Sequence, residues 1–164
     1  MIPPPNELVV YSSDSGHLIA GFRPLLMIVF TRAPKIDEIH LIEEVVDLGL
    51  SEGINGGILY VVARDDFRAG VEPRLREMLE RIMRSASQKN AKNAVVILTR
   101  GFGGAVARGV LAGLLLLSSD RTSVRVFKAP AEACEWLADN HGIPRAGLLD
   151  AWTSAIGSLL DGRI

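Results

Sequence analysis

Residues 93–127 read NAVVILTRGFGGAVARGVLAGLLLLSSDRTSVRVF, and this stretch decides the fold. Residues 94–98 are apolar without polar alternation, the pattern of a strand covered on both faces of a parallel sheet. A glycine turn follows. From about 104 to 117 the period is helical and Arg108 is the only charge, so this helix is buried on several sides. Residues 123–127 make the next strand. Strand, helix and strand in this order imply a right-handed crossover between parallel strands.

The reading extends in both directions. Downstream, Pro130 opens a helix to about 140, with Ala133, Cys134, Trp136 and Leu137 facing inward and Gly142 closing it. Pro144 starts a last helix, whose stripe is Leu148, Trp152, Ala155, Ile156 and Leu159. Upstream, residues 71–87 carry the stripe Val71, Leu75, Met78, Leu79, Ile82, Met83 and Ala86. The outer side bears the acid-before-base pairs Glu72–Arg76, Glu77–Arg81 and Glu80–Arg84, the pattern of a solvated helix face. Residues 58–62 form a short strand. Residues 36–48 form an amphipathic helix with Pro34 and Asp37 at its start.

Before that helix come three strands, at about 7–12, 17–22 and 25–31. Ser13-Asp14-Ser15-Gly16 separates the first two and Arg23-Pro24 the last two. The order is β-β-β-α-β-α-β-α-β-α-α. This predicts an α/β fold with a mixed, mostly parallel central sheet flanked by helices, and an extra C-terminal helix. Residues 1–6, with three prolines, form a loose start. Residues 7–141 form the domain and 142–164 a helical appendage.

Composition narrows the function classes. With 18 Lys plus Arg against 19 Asp plus Glu, the chain carries no global field for nucleic acid or anionic membrane. Aromatics are 5% and are not interleaved with basic residues, which argues against single-strand nucleic-acid binding. The 48% hydrophobic content predicts a large core or an apolar face covered by a second subunit. The single cysteine excludes an intrachain disulfide. The start of the chain lacks the basic and apolar regions of a signal peptide, and the apolar run 110–117 is too short to span a bilayer. These features predict a cytoplasmic protein.

Candidate site residues fall in two segments. In the turn after residues 94–98, backbone N–H groups at Gly101, Gly103 and Gly104 are placed to meet an anion, with Arg100 and Arg108 adding charge. Neither glycine fingerprint is complete: a dinucleotide motif needs glycine where Val106 stands, and a phosphate loop needs a Gly-Lys-Ser/Thr ending. Close helix–strand packing is the competing account. The second segment, ARDDFRAG, follows residues 58–62 at the carboxyl end of a parallel strand, where open α/β sheets bind ligands. It offers Arg64, Asp65, Asp66 and Arg68, with Arg76 on the helix beyond. A solvated loop with helix-capping aspartates is the competing account. Adjacent Asp65 and Asp66 point different ways, a poor arrangement for acid–base catalysis.

His17, His40 and His141 are scattered, and no metal-ligand spacing is present. Cys134 reads as a small buried hydrophobe. Ser12, Ser13 and Ser15 cluster beside Asp14, but no nucleophile-elbow motif surrounds a serine. No cofactor, metal or catalytic constellation is expected. The close spacing of Gly109 and Gly113 suits close approach of a helix to the sheet.

The strand LLMIVF followed by an amphipathic helix, the strand ILYVV and the tail VLAGLLLLSSDRTSVRVFKAPAEACEWL resemble the STAS domain, the SpoIIAA-like fold of anti-sigma-factor antagonists. The resemblance covers residues 7–140 and rests on element order. It implies a non-catalytic regulatory or protein-binding domain that works through the loop and helix near Arg64 to Arg76. The family's antagonists carry a phosphorylatable serine at the start of the helix after the strand equivalent to ILYVV. Here ARDDFRAGVEP has no Ser or Thr, so that switch is not implied. The expected partners are another protein and a second copy of the chain. A small-molecule, lipid or anion-binding module is the alternative, and a flavodoxin-like or Rossmann-like enzyme stands behind it. The last helix, beyond the usual domain, either completes the core or pairs subunits.

Overall fold

The computed structural model describes residues 7–32, 34–51, 56–63, 77, 80–82, 84–85, 88, 91–98 and 123–160. Within them the chain is α/β, with a six-stranded mixed sheet in sequential order, β1-β2-β3-β4-β5-β6. The strands are β1 (Leu8–Asp14), β2 (His17–Phe22), β3 (Leu25–Phe30), β4 (Gly57–Val62), β5 (Lys92–Ile97) and β6 (Val124–Phe127). The first three form an antiparallel meander, and β3 to β6 run parallel. The turns at Ser15-Gly16 and Arg23-Pro24 are two residues each, short enough to force antiparallel neighbours. The Arg23–Pro24 peptide is cis.

The helices are α1 (Ile36–Ser51), α2 (Pro130–His141) and α3 (Arg145–Leu160). Residues 77, 80–82 and 84–85 are also helical, within the segment that the Glu/Arg pattern predicts as a helix, and residue 88 is helical one position beyond it. The predicted helix over 104–117 lies outside the described residues. Helix α2 is bounded as its sequence requires. Pro130 stands in its first turn, and Gly142 takes the left-handed conformation (φ 64°) that halts it, donating its N–H to the Ala138 carbonyl.

Each face of the sheet is covered, so β2 and β3 are buried at every position. Alternate side chains divide between two cores. On one face Ile19, Leu26, Ile28, Phe30 and Ile58 meet Ile39, Ile42 and Val46 of α1, with Ile82. On the other, Leu18, Ala20, Met27, Val29, Leu59, Val61, Ala94 and Val96 meet α2 and α3. Helix α3 contributes Leu148, Ala151, Trp152, Ala155 and Leu159 to that second core. Its stripe therefore completes the core. Cys134 is buried there as expected, and burial pushes its thiol up to about 11.

The register aligns one set of strand ends. His17 pairs with Phe30, Phe30 with Val62, and Val62 with Ile97. The β1–β2 turn and the carboxyl ends of β3, β4 and β5 thus lie along the same side of the sheet.

Candidate functional site

Four charged or titratable side chains meet at this edge, each placed by a different element. Asp14 ends β1. Its Oδ1 accepts the backbone N–H of Gly16 at 2.6 Å and of His17 at 3.0 Å, an Asx turn that closes the hairpin. Gly16 is required there by close approach, since a Cβ would run into the Arg32 side chain. The turn is tied to the end of β3: Thr31 donates its N–H to the Gly16 carbonyl at 2.9 Å and its hydroxyl to the Ser15 carbonyl at 3.2 Å.

Glu38 is the third residue of α1 and reaches back to accept the Lys35 N–H at 2.7 Å on Oε2. This is the glutamate half of a capping box, and its charge also suits the positive end of the helix. His17 begins β2, stacked near Phe30 with ring centroids 6.3 Å apart. Arg32 follows β3. It forks onto Glu38, Nη2 to Oε1 at 2.6 Å and Nη1 to Oε2 at 3.0 Å, and Nη2 also donates to Asp14 Oδ2 at 2.7 Å.

His17 is held at both ring nitrogens. Nδ1 lies 2.9 Å from Asp14 Oδ1 and 3.2 Å from Glu38 Oε1, and Nε2 lies 2.8 Å from Ser12 Oγ. Arg32 Nη2 also lies 3.4 Å from Nδ1, but the two carboxylates are closer and only accept hydrogen bonds, so Nδ1 carries the proton. In the neutral ring Nε2 then accepts from the Ser12 hydroxyl.

The electrostatics follow from these contacts. The Gly16 N–H first, then Arg32 and His17, hold the Asp14 carboxyl well below the usual carboxylate range. Burial alone pushes Glu38 upward, but hydrogen bonds from Arg32 and the Lys35 N–H, with the nearby charges, outweigh it and leave Glu38 lowered. Glu38 in turn is the main reason that the Arg32 guanidinium is held more firmly protonated than usual.

Asp14, His17 and Glu38 place three potential metal-ligand atoms within 4.8 Å of one another. The Arg32 guanidinium already bridges both carboxylates and a proton occupies Nδ1. A divalent ion would have to displace both, so the arrangement favours an ion-pair network over a metal centre.

The residues singled out from sequence, Arg64, Asp65, Asp66, Arg68, Arg76, Arg100, Gly101, Gly103, Gly104 and Arg108, lie outside the described residues. The described chain leads to both segments at the same edge. Ala63 donates its N–H to the Phe30 carbonyl at 2.8 Å, and Leu98 donates to the Val62 carbonyl at 2.9 Å. Sequence reading missed the Asp14–His17–Arg32–Glu38 cluster. The available signal was the Ser-Asp-Ser-Gly turn. Once 7–12, 17–22 and 25–31 are taken as a meander, His17 must sit beside Asp14 and near the end of the third strand, where Arg32 follows.

No family model matches the chain, and no curated protein or solved structure is significantly similar to it. Among the described residues no helix is long and apolar enough to cross a membrane.

Proposed function

We propose that the chain is a STAS-like regulatory module of the cytoplasm that binds a protein partner, acts without turning over a substrate, and pairs with a second copy of itself. The observation that carries this reading is the shared edge. The β1–β2 turn and the carboxyl ends of β3, β4 and β5 are in register along it, and the four-residue ion network stiffens one end. An edge built this way presents charged loops from a rigid sheet, the usual arrangement for recognition. The resemblance places the working surface on the segment from Arg64 to Arg76, which continues from β4 at this edge.

The test is affinity capture with Arg64→Glu/Arg68→Glu beside the unaltered chain and a Thr153→Arg control on the exposed face of α3. A protein retained by the unaltered chain and the control, and lost with the double variant, supports the reading. Retention by all three, or monomeric light scattering at every concentration, overturns it in part or whole. The alternative is an anion or small-molecule site between the Arg64 and Arg100 segments. It is favoured by the common edge from which β4 and β5 lead into them, and it predicts thermal stabilisation by the bound ligand.

A further inference from the structure

We infer that Ser12 is an activated nucleophile, with His17 as its general base, and that it accepts an acyl group from a neutral activated ester. This goes beyond the binding-module reading and does not depend on it. Ser12 Oγ lies 2.8 Å from His17 Nε2, and His17 Nδ1 lies 2.9 Å from Asp14 Oδ1. Nucleophile, base and orienting carboxylate are thus joined by two hydrogen bonds in series, the arrangement that activates a hydroxyl.

Three further features support the assignment. The tautomer is the productive one, because the two carboxylates facing Nδ1 fix its proton and leave Nε2 as the acceptor for the hydroxyl. Asp14 is itself held by two backbone N–H groups and by Arg32, so the carboxylate that aligns the ring is fixed. Asp14, Glu38 and Arg32 together carry −1. The chain's local geometry presents the hydroxyl: a register shift between Val10 and Ser12 re-aims β1 there, and Ser12 is half-buried on an edge strand.

The same charge sum selects the substrate class. Arg32 is engaged by both carboxylates, and the cluster is negative before the proton moves. That repels a phosphoryl donor and leaves a neutral carboxylic ester as the fitting electrophile. In the step, Ser12 Oγ bonds to the carbonyl carbon as its proton passes to Nε2. The ester C–O bond then breaks, and the leaving alkoxide takes that proton as the free alcohol. The product is an acyl ester on Ser12. No oxidant or cofactor is needed.

The test uses the full chain with p-nitrophenyl acetate, reading p-nitrophenolate release and the mass of the peptide bearing Ser12. A fluorophosphonate, which bonds to the same oxygen with loss of fluoride, gives an adduct that water does not readily remove. The expected result is one acetyl or phosphonyl group per chain on Ser12, none with Ser12→Ala, and an unchanged rate with Ser13→Ala, whose side chain lies on the other side of the strand. His17→Gln slows labelling by about a hundredfold, the scale of a lost general base. Should His17→Gln fail to fold, the unaltered chain in urea replaces it and shows the same loss of rate. Labelling elsewhere, or labelling of Ser12 no faster in the folded chain than in urea, overturns the inference. Phosphonyl adduct without acetyl adduct overturns the acyl assignment.

Discussion

The two faces of the sheet are built to different rules. The face under α2 and α3 is apolar throughout its buried cluster, from Leu18 and Phe22 through Met27 and Leu59 to Leu137 and Trp152. The face under α1 has an equally apolar centre, but at the carboxyl edge it ends in His17 and Glu38, both buried and both bound to Arg32 or Asp14. Apolar contact is non-directional and tolerates small shifts, so the first face supplies stability more than register. The ion network does the reverse. A slip of β1 against β2 by one residue would turn the whole side-chain set of β1 to the opposite face and part Asp14 from His17. The network therefore specifies the alignment that the apolar faces stabilise.

The sharpest way to break this contrast is to cut the apolar face at its outermost helix. Leu148 of α3 is fully buried beneath the sheet. Leu148→Ala should cost about 3 kcal/mol, from lost transfer energy and the cavity left behind. Urea unfolding measures it. A cost near zero would mean that α3 is a loose appendage and not part of the core on that face.

The ion network comes next. Arg32→Met leaves the buried Glu38 facing Asp14 with no guanidinium between them. The expected cost at pH 7 is about 2 kcal/mol, less than for a fully buried pair because Arg32 is 31% exposed. The pH dependence separates this from a packing loss. Asp14 and Glu38 are both lowered in the folded chain, so below the ordinary carboxylate range, near pH ~4, the unfolded chain binds more protons. Stability is then fully present above that range and is lost as the pH falls toward the folded values. The gap between the unaltered chain and Arg32→Met should be widest near pH 7 and close as the solution is acidified. A gap independent of pH would assign the loss to packing.

A smaller effect belongs to the apolar face again. A Cβ on Gly57 would lie 2.7 Å from His141 Nε2, 2.7 Å from Leu25 Cδ2 and 2.9 Å from Leu137 Cδ2. Gly57→Ala should cost about 1 kcal/mol, the low end for overpacking, because these are side-chain tips. A stabilised Gly57→Ala chain would show that this face has slack.

These contrasts also show what was legible in the residues. The meander could be read because Ser-Asp-Ser-Gly and Arg-Pro punctuate three apolar runs, and local chemistry alone produces those turns. LLMIVF could be read as a central strand because only burial on both faces permits an unbroken apolar run. The α/β class followed from the alternation after it. The ion network was only partly legible. The meander brings Asp14, His17 and Arg32 to one end, but each member also has an ordinary local role: Asp14 is a turn residue, Glu38 a first-turn acid, His17 a strand start and Arg32 a loop base. The arrival of Glu38 depends on how α1 packs on the sheet, which is tertiary information. The segments around Arg64 and Arg100 stand out by local charge and glycine content, signals that carry nothing about pairing.

The finest test sets two ion pairs of equal length against each other. Arg145 grips Asp139 with Nε to Oδ1 at 2.9 Å and Nη2 to Oδ2 at 2.7 Å, as close as the Arg32 contacts. Both partners are more than half exposed, against 9% for Glu38. If distance governed the value of an ion pair, Arg145→Ala would match Arg32→Met. Water screens the exposed pair and already solvates each partner once the other is removed, so the loss should be small and should shrink further with added salt. The expected result is a urea midpoint for Arg145→Ala within error of the unaltered chain at 0.5 M salt, while Arg32→Met remains clearly shifted there. Equal shifts for the two variants would remove burial as the reason that the charged edge matters.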